Sequence, residues 1–269
     1  MPKKSKTTSF VILKDDVIIH IIDIFKKSVE TLTILFNTDS IKINTLDITH
    51  CFLITLDLQN PYEESTLTNP EKVKITTESF LLALRSVYSN ELSLKMEFKS
   101  DCINVISFDP EDEDGDFNKC KVPMLYDSED EEMEFDNEFT SHIIFDASFF
   151  STNVKKLSKF DEKILISAKQ NTDFVIMETV NETNKMTTKV KKNKEKLKKL
   201  IIHEEDEEIK VRLDSKHLSE FIRCDKFSNK VLLDIKETGG AVGITYLFNK
   251  YEYENSYIRF IVASYDMEE

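Results

Sequence analysis

Tryptophan is absent from this 269-residue chain, and glycine (4), proline (5), cysteine (4) and histidine (5) are all scarce. Each shortage argues against a class of function. So few glycines leave no phosphate-cradling loop, no dinucleotide-binding fingerprint and no glycine-rich β array. Cys51, Cys102, Cys120 and Cys224 lie far apart and form no C-x-x-C pair, which argues against a zinc ribbon or a thioredoxin-type site. Free thiols fit a reducing, intracellular compartment. The histidines sit at no ligand spacing with cysteine or carboxylate, and neither H-E-x-x-H nor G-x-S-x-G occurs. No metal centre, no cofactor and no catalysis are expected. No apolar run approaches the roughly 18 residues of a membrane span. The N-terminal MPKKSK is followed by no apolar signal region, because Lys14, Asp15 and Asp16 interrupt it.

What is present suits a folded protein of one or two domains, since about 150 residues per domain gives roughly 1.8. Hydrophobic residues make up 40% and charged residues 32%, enough for a sizeable core. Fifty acids against 36 bases give a net charge of -14. That argues against a surface that binds nucleic acid everywhere, and leaves room for a basic patch inside an acidic shell.

The two halves resemble each other. Residues 10–27, FVILKDDVIIHIIDIFKK, align with residues 142–159, HIIFDASFFSTNVKKLSK, at an offset of 132. Both read as a short apolar strand, an acidic or hydroxyl helix start and an amphipathic helix. Residues 74–85, KITTESFLLALR, and 210–223, KVRLDSKHLSEFIR, form a second such pair at an offset of 138 between the final arginines. Nearly everything between the helices alternates with period two, as strands do. The chain thus reads as many antiparallel strands and four short helices, two per half.

Three charged stretches interrupt the pattern. Residues 127–138 hold eight acids, with Met133 and Phe135 as isolated apolar side chains, and read as a linker between the halves. Residues 111–116, EDEDGD, read as a solvated hairpin tip. Residues 185–199 hold eight lysines and one glutamate and read as a long exposed hairpin or loop. The helices carry bases on one face and apolar residues on the other. Lys155 and Lys159 are four apart, Lys216 and Arg223 seven apart, and His20 and Lys27 seven apart beside Lys26, while Arg85 ends the second helix.

In order and spacing these features resemble the eukaryotic-type DNA sliding clamps, the proliferating cell nuclear antigen family. The carrying segments are residues 40–58 with the turn Leu46-Asp47-Ile48-Thr49-His50, similar to the family's Met-Asp-x-x-His; residues 145–157; the strand ILISAK at 164–169; and the ending FIVASYDMEE at 260–269. Departures are Thr152, Ile19 and Leu82, which stand where the family commonly has a base. The resemblance implies an α+β clamp fold: two similar domains of antiparallel sheets with two helices each, closing as a homotrimeric ring whose helices line a hole. It divides the chain into a basic extension (1–8), a first domain (9–120), a connector (121–137) and a second domain (138–269). It implies a polymerase processivity factor that encircles double-stranded DNA, works with a clamp loader, and recruits replication and repair clients through a peptide pocket, in a nucleus or viral replication compartment. The alternative within the same superfamily is a subunit of a checkpoint-type heterotrimer, or a non-encircling processivity subunit. The DNA-facing residues would be His20, Lys26, Lys27, Arg85, Lys155, Lys159, Lys216 and Arg223. The pocket would comprise Leu46, His50, Met133, Phe135, Ile261, Val262 and Ala263. Subunits would join through two edge strands carrying Cys120, Val122, Met124 and Tyr126, and Phe174, Val175, Met177 and Val180.

Overall fold

The computed structural model describes residues 8–12, 16–89, 92–112, 115–125, 138–179, 181, 185–203, 207–236, 240–250 and 253–265. The chain divides into two compact units, Met1–Ile48 with Leu56–Glu132, and Thr49–Thr55 with Met133–Glu269.

The first unit runs β1 (Ser9–Ile12), α1 (Val17–Phe25), β2 (Thr31–Phe36), β3 (Ser40–Leu46), β4 (Phe52–Gln59), β5 (Tyr62–Ser65), β6 (Glu71–Thr76), α2 (Thr77–Val87), β7 (Ser93–Phe98), β8 (Cys102–Phe108) and β9 (Phe117–Pro123). The second repeats that order: β10 (Ser141–Asp146), α3 (Ala147–Leu157), β11 (Lys163–Lys169), β12 (Phe174–Thr179), β13 (Thr187–Lys191), β14 (Leu197–Ile201), β15 (Glu208–Asp214), α4 (Ser215–Phe221), β16 (Lys230–Ile235), β17 (Ala241–Leu247) and β18 (Tyr257–Ala263). The sheets match as well. Order β5-β1-β7-β8-β9 answers to β14-β10-β16-β17-β18, and β4-β3-β2-β6 to β13-β12-β11-β15. The internal repeat legible in the sequence is therefore a repeat of elements and of strand order, and the fold is α+β.

Alternation decides which face of each strand is buried. In β2 the apolar Leu32, Ile34 and Phe36 are buried while Thr31, Thr33 and Leu35, alternating with them, are half-exposed; in β10, Ile143 and Phe145 are buried in the same way. Each helix covers such a face with its own apolar stripe: Val17, Ile21, Ile24 and Phe25 on α1, Phe150, Val154 and Leu157 on α3. Burying one such side chain contributes roughly 1.5–3 kcal/mol. The start of β4 belongs to the second unit because Phe52 packs edge-on to Phe221 at 4.9 Å, and Phe221 stacks on Phe260 at 4.2 Å.

The helix starts differ between the halves. Asp146 accepts the Phe149 N–H at 3.0 Å and Asp214 the Lys216 N–H at 2.6 Å, as helix caps do. Asp16 instead pairs with His20 at 2.7 Å, and neither Asp16 nor Thr76 caps with its side chain. Asp146→Ala should lower unfolding stability by about 1 kcal/mol in urea titration.

Candidate nucleic-acid interface and assembly edges

The solvent face of α3 is a periodic stripe: Ser148, Thr152, Lys155 and Lys159 are exposed at helical spacing, with Lys156 exposed beside them. Lys159 lies in the turn after the helix. Lys156 escaped the sequence reading because it falls one residue off the Lys155–Lys159 row. Helix α4 contributes exposed Lys216, 3.4 Å from Glu162. Arg223, seven residues on, lies half-buried in the 3₁₀ turn that follows the helix (Ile222–Lys226) and turns back to Glu220 at 3.2 Å.

The first unit is electrically different. The solvent stripe of α1 reads Asp16, His20, Asp23, Lys27, alternating in sign along the face. Lys26 caps α1 and pairs with Glu78 at 3.0 Å, and Arg85 of α2 reaches Asp23 at 2.6 Å. His20, Lys26 and Arg85 thus each carry a counter-acid. Leu82, exposed mid-helix on α2, stands in the same face. The sequence reading counted bases on each helix and not the acids interleaved with them.

The expected pocket residues separate by burial. Leu46 is half-buried at the end of β3 and is followed by strongly exposed Ile48. His50 is exposed with φ 57°, a left-handed turn position. Ile261 and Val262 belong to the core of the second unit rather than to an open surface, at 5% and 4% exposure, and only Ala263 at the end of β18 is open. Beyond it the tail is fixed by the Tyr265 N–H donating to the Arg212 carbonyl at 2.9 Å and by the Tyr265 hydroxyl donating to Asp214 at 3.2 Å. Burial and the Asp214 charge push the Tyr265 phenol up. Met133 and Phe135 lie outside the described residues.

One expected edge strand is an edge and the other is not. β9, with Cys120 half-buried, Val122 buried and Met124 half-buried just past its end, has a partner only in β8 within its sheet. Asp101 accepts from Lys121 at 2.8 Å across that edge, which holds the Asp101 carboxyl below the usual range. β12, by contrast, lies inside its sheet, between β11 and β13. Phe174, Val175 and Met177 therefore form no free edge, and Val175 and Met177 are fully buried. The edge on that side of the sheet is β13, one strand later, whose alternation TTKVK lies within the lysine-rich run expected to form an exposed hairpin or loop. Tyr126 and Val180 lie outside the described residues.

No family model matches the sequence, and no curated protein matches it. Among solved structures, the chain is similar to the crystal structure of PCNA from Thermococcus kodakaraensis, with a TM-score of 0.81 at 14% identity over 96% of this chain and 100% of that one. At that identity the likeness establishes the fold: this chain has the architecture of a sliding clamp.

Proposed function

We propose that the protein is a DNA sliding clamp, a non-catalytic ring that encircles duplex DNA and holds a polymerase and other clients on it. The observation that carries the reading is the duplicated fold, which puts β9 and β13 among the edge strands of its sheets while the helices turn polar faces outward. Open edges are an aggregation hazard unless paired, and pairing β9 of one copy with β13 of the next satisfies both. Three copies in this arrangement bring twelve short helices to a central hole, four from each chain. Contacts from lysines to phosphates would be independent of base sequence and weak enough to slide. Clients would dock on apolar side chains in a polar rim, for which Leu46, His50 and Ala263 are the described candidates and Met133 and Phe135 the undescribed ones.

The test combines light scattering after size exclusion with a primer-extension assay on a long template, with a matched polymerase and loader. The expected result is a trimer that lengthens products. A protein that is monomeric at every concentration and leaves product length unchanged overturns the reading. The counter-acids Asp16, Asp23 and Glu78 on the first unit's helices favour one alternative, a subunit of a mixed ring or a non-encircling processivity subunit. A mixed ring predicts a trimer only when a second protein is added, and a non-encircling subunit predicts none.

A further inference from the structure

We propose that the β9 and β13 edges form a charge-keyed joint between copies of this chain, the acidic turn before β9 of one copy docking on the lysine turn after β13 of the next. The inference rests on the ring reading above and specifies what selects its orientation and register. On β9, Met124 donates its N–H to the Asp101 carbonyl on the β8 side. Period-two alternation then turns the peptide groups of Cys120 and Val122 inward and those of Lys119 and Lys121 toward the free edge. On β13, the Met186 carbonyl accepts from Thr179 and the Lys192 N–H donates to Asp173, so Thr188 and Val190 bond inward and Lys189 and Lys191 face the free edge.

The core side of each strand carries the inward-bonding residues. Val122 and Val190 are buried, and Cys120 and Thr188 are half-buried. The handedness of L-residues ties side-chain direction to peptide direction along a strand. Two edges of this kind can therefore continue one another's core face only when antiparallel. A slip of one residue would turn a core face to solvent, so only alternate registers survive. The central ones set Cys120 opposite Thr188, Val190 or Lys192. Followed past the strand ends, these three put Asp116 across from Lys192, Lys194 or Lys196 respectively.

The charges on both sides are exposed: Asp109, Glu111, Asp112 and Asp116 before β9, and Lys191, Lys192, Lys194 and Lys196 at and after the end of β13. Three of the bases that would oppose one another within the joint have other partners. Lys121 pairs with Asp101 and Lys119 lies 3.9 Å from Glu97, while Lys189 rests 3.6 Å over the Phe174 ring. A β13–β13 joint would bring no acidic turn to either lysine turn, so the charges disfavour a two-fold dimer and favour head-to-tail closure. The lysine run expected to form an exposed hairpin or loop thereby acquires a partner.

The test is charge reversal followed by charge exchange in the full-length protein, read by light scattering across protein and salt concentration. Lys192→Glu/Lys194→Glu/Lys196→Glu should raise the concentration of half-dissociation roughly tenfold or more at low salt, and the difference should shrink as salt rises. Adding Glu111→Lys/Asp112→Lys/Asp116→Lys in the same chain should restore assembly. Circular dichroism should be unchanged throughout, since all six side chains are exposed. A reversal that leaves assembly unchanged, or one that the exchange does not rescue, overturns the charge key while the ring reading stands. A parent that never assembles overturns the ring reading and the key together.

Discussion

A Val175→Lys chain should fail to fold its second unit, rather than fold and fail to assemble. Val175 is fully buried in β12, opposite Ala168 on one side and Val190 on the other. A lysine there must bury an unpaired ammonium or tear β12 from a neighbour, a cost of several kcal/mol. That is a large share of the roughly 5–15 kcal/mol that stabilises an ordinary domain. Lys189→Pro should behave in the opposite way. Lys189 is exposed, and its N–H points to the free edge, where proline breaks no bond within the chain. The expected outcome is a folded protein with an unfolding midpoint near the parent's, no assembly, and no gain in polymerase product length. Urea titration beside light scattering separates the two substitutions. A folded, monomeric Val175→Lys protein, or an assembled Lys189→Pro protein, would return the joint to β12.

The contrast also marks how far sequence reaches. The repeat was legible because each half spends its apolar residues with the same two periods in the same order, so that even strand order recurs. The edge was not. Whether a strand is central or peripheral depends on what pairs beside it, and β13 is masked by composition: TTKVK alternates, but lysine fills its outward positions and the flanking turn. Charged side chains are how natural edges avoid indiscriminate pairing, so an edge strand tends to look like a loop. Two of the expected pocket residues differ from expectation for a related reason. Ile261 and Val262 follow one another on β18, yet both are buried, which period-two reasoning alone does not give. On the helices, apolar stripes predicted the buried faces correctly. The polar faces were misjudged where acids such as Asp23 and Glu78 reach across to bases that are distant in sequence.

That last point sets the second large effect, on DNA. Removing Lys155, Lys156 and Lys159 together by alanine substitution should weaken sequence-independent duplex binding far more than removing Lys26 and Arg85. The three α3 lysines are exposed and, among the described residues, none falls in an ion pair with an acid, whereas Lys26 and Arg85 direct part of their field at Glu78 and Asp23. Each phosphate contact contributes about 0.9 to the slope of log affinity against log salt on B-form DNA. The α3 triple should therefore flatten that slope by about two to three, and the first-unit double by less than one. Stability should move little in either variant, since exposed ion pairs contribute about 0–1 kcal/mol. The converse substitutions, Asp23→Asn and Glu78→Gln, release the first unit's bases and should strengthen and steepen DNA binding. Fluorescence anisotropy on a linear duplex, repeated across a salt series, measures all three. Equal slopes for the parent and the α3 triple would place the DNA contact elsewhere. A larger loss from the first-unit double would mean that Asp23 and Glu78 do not hold those bases in solution.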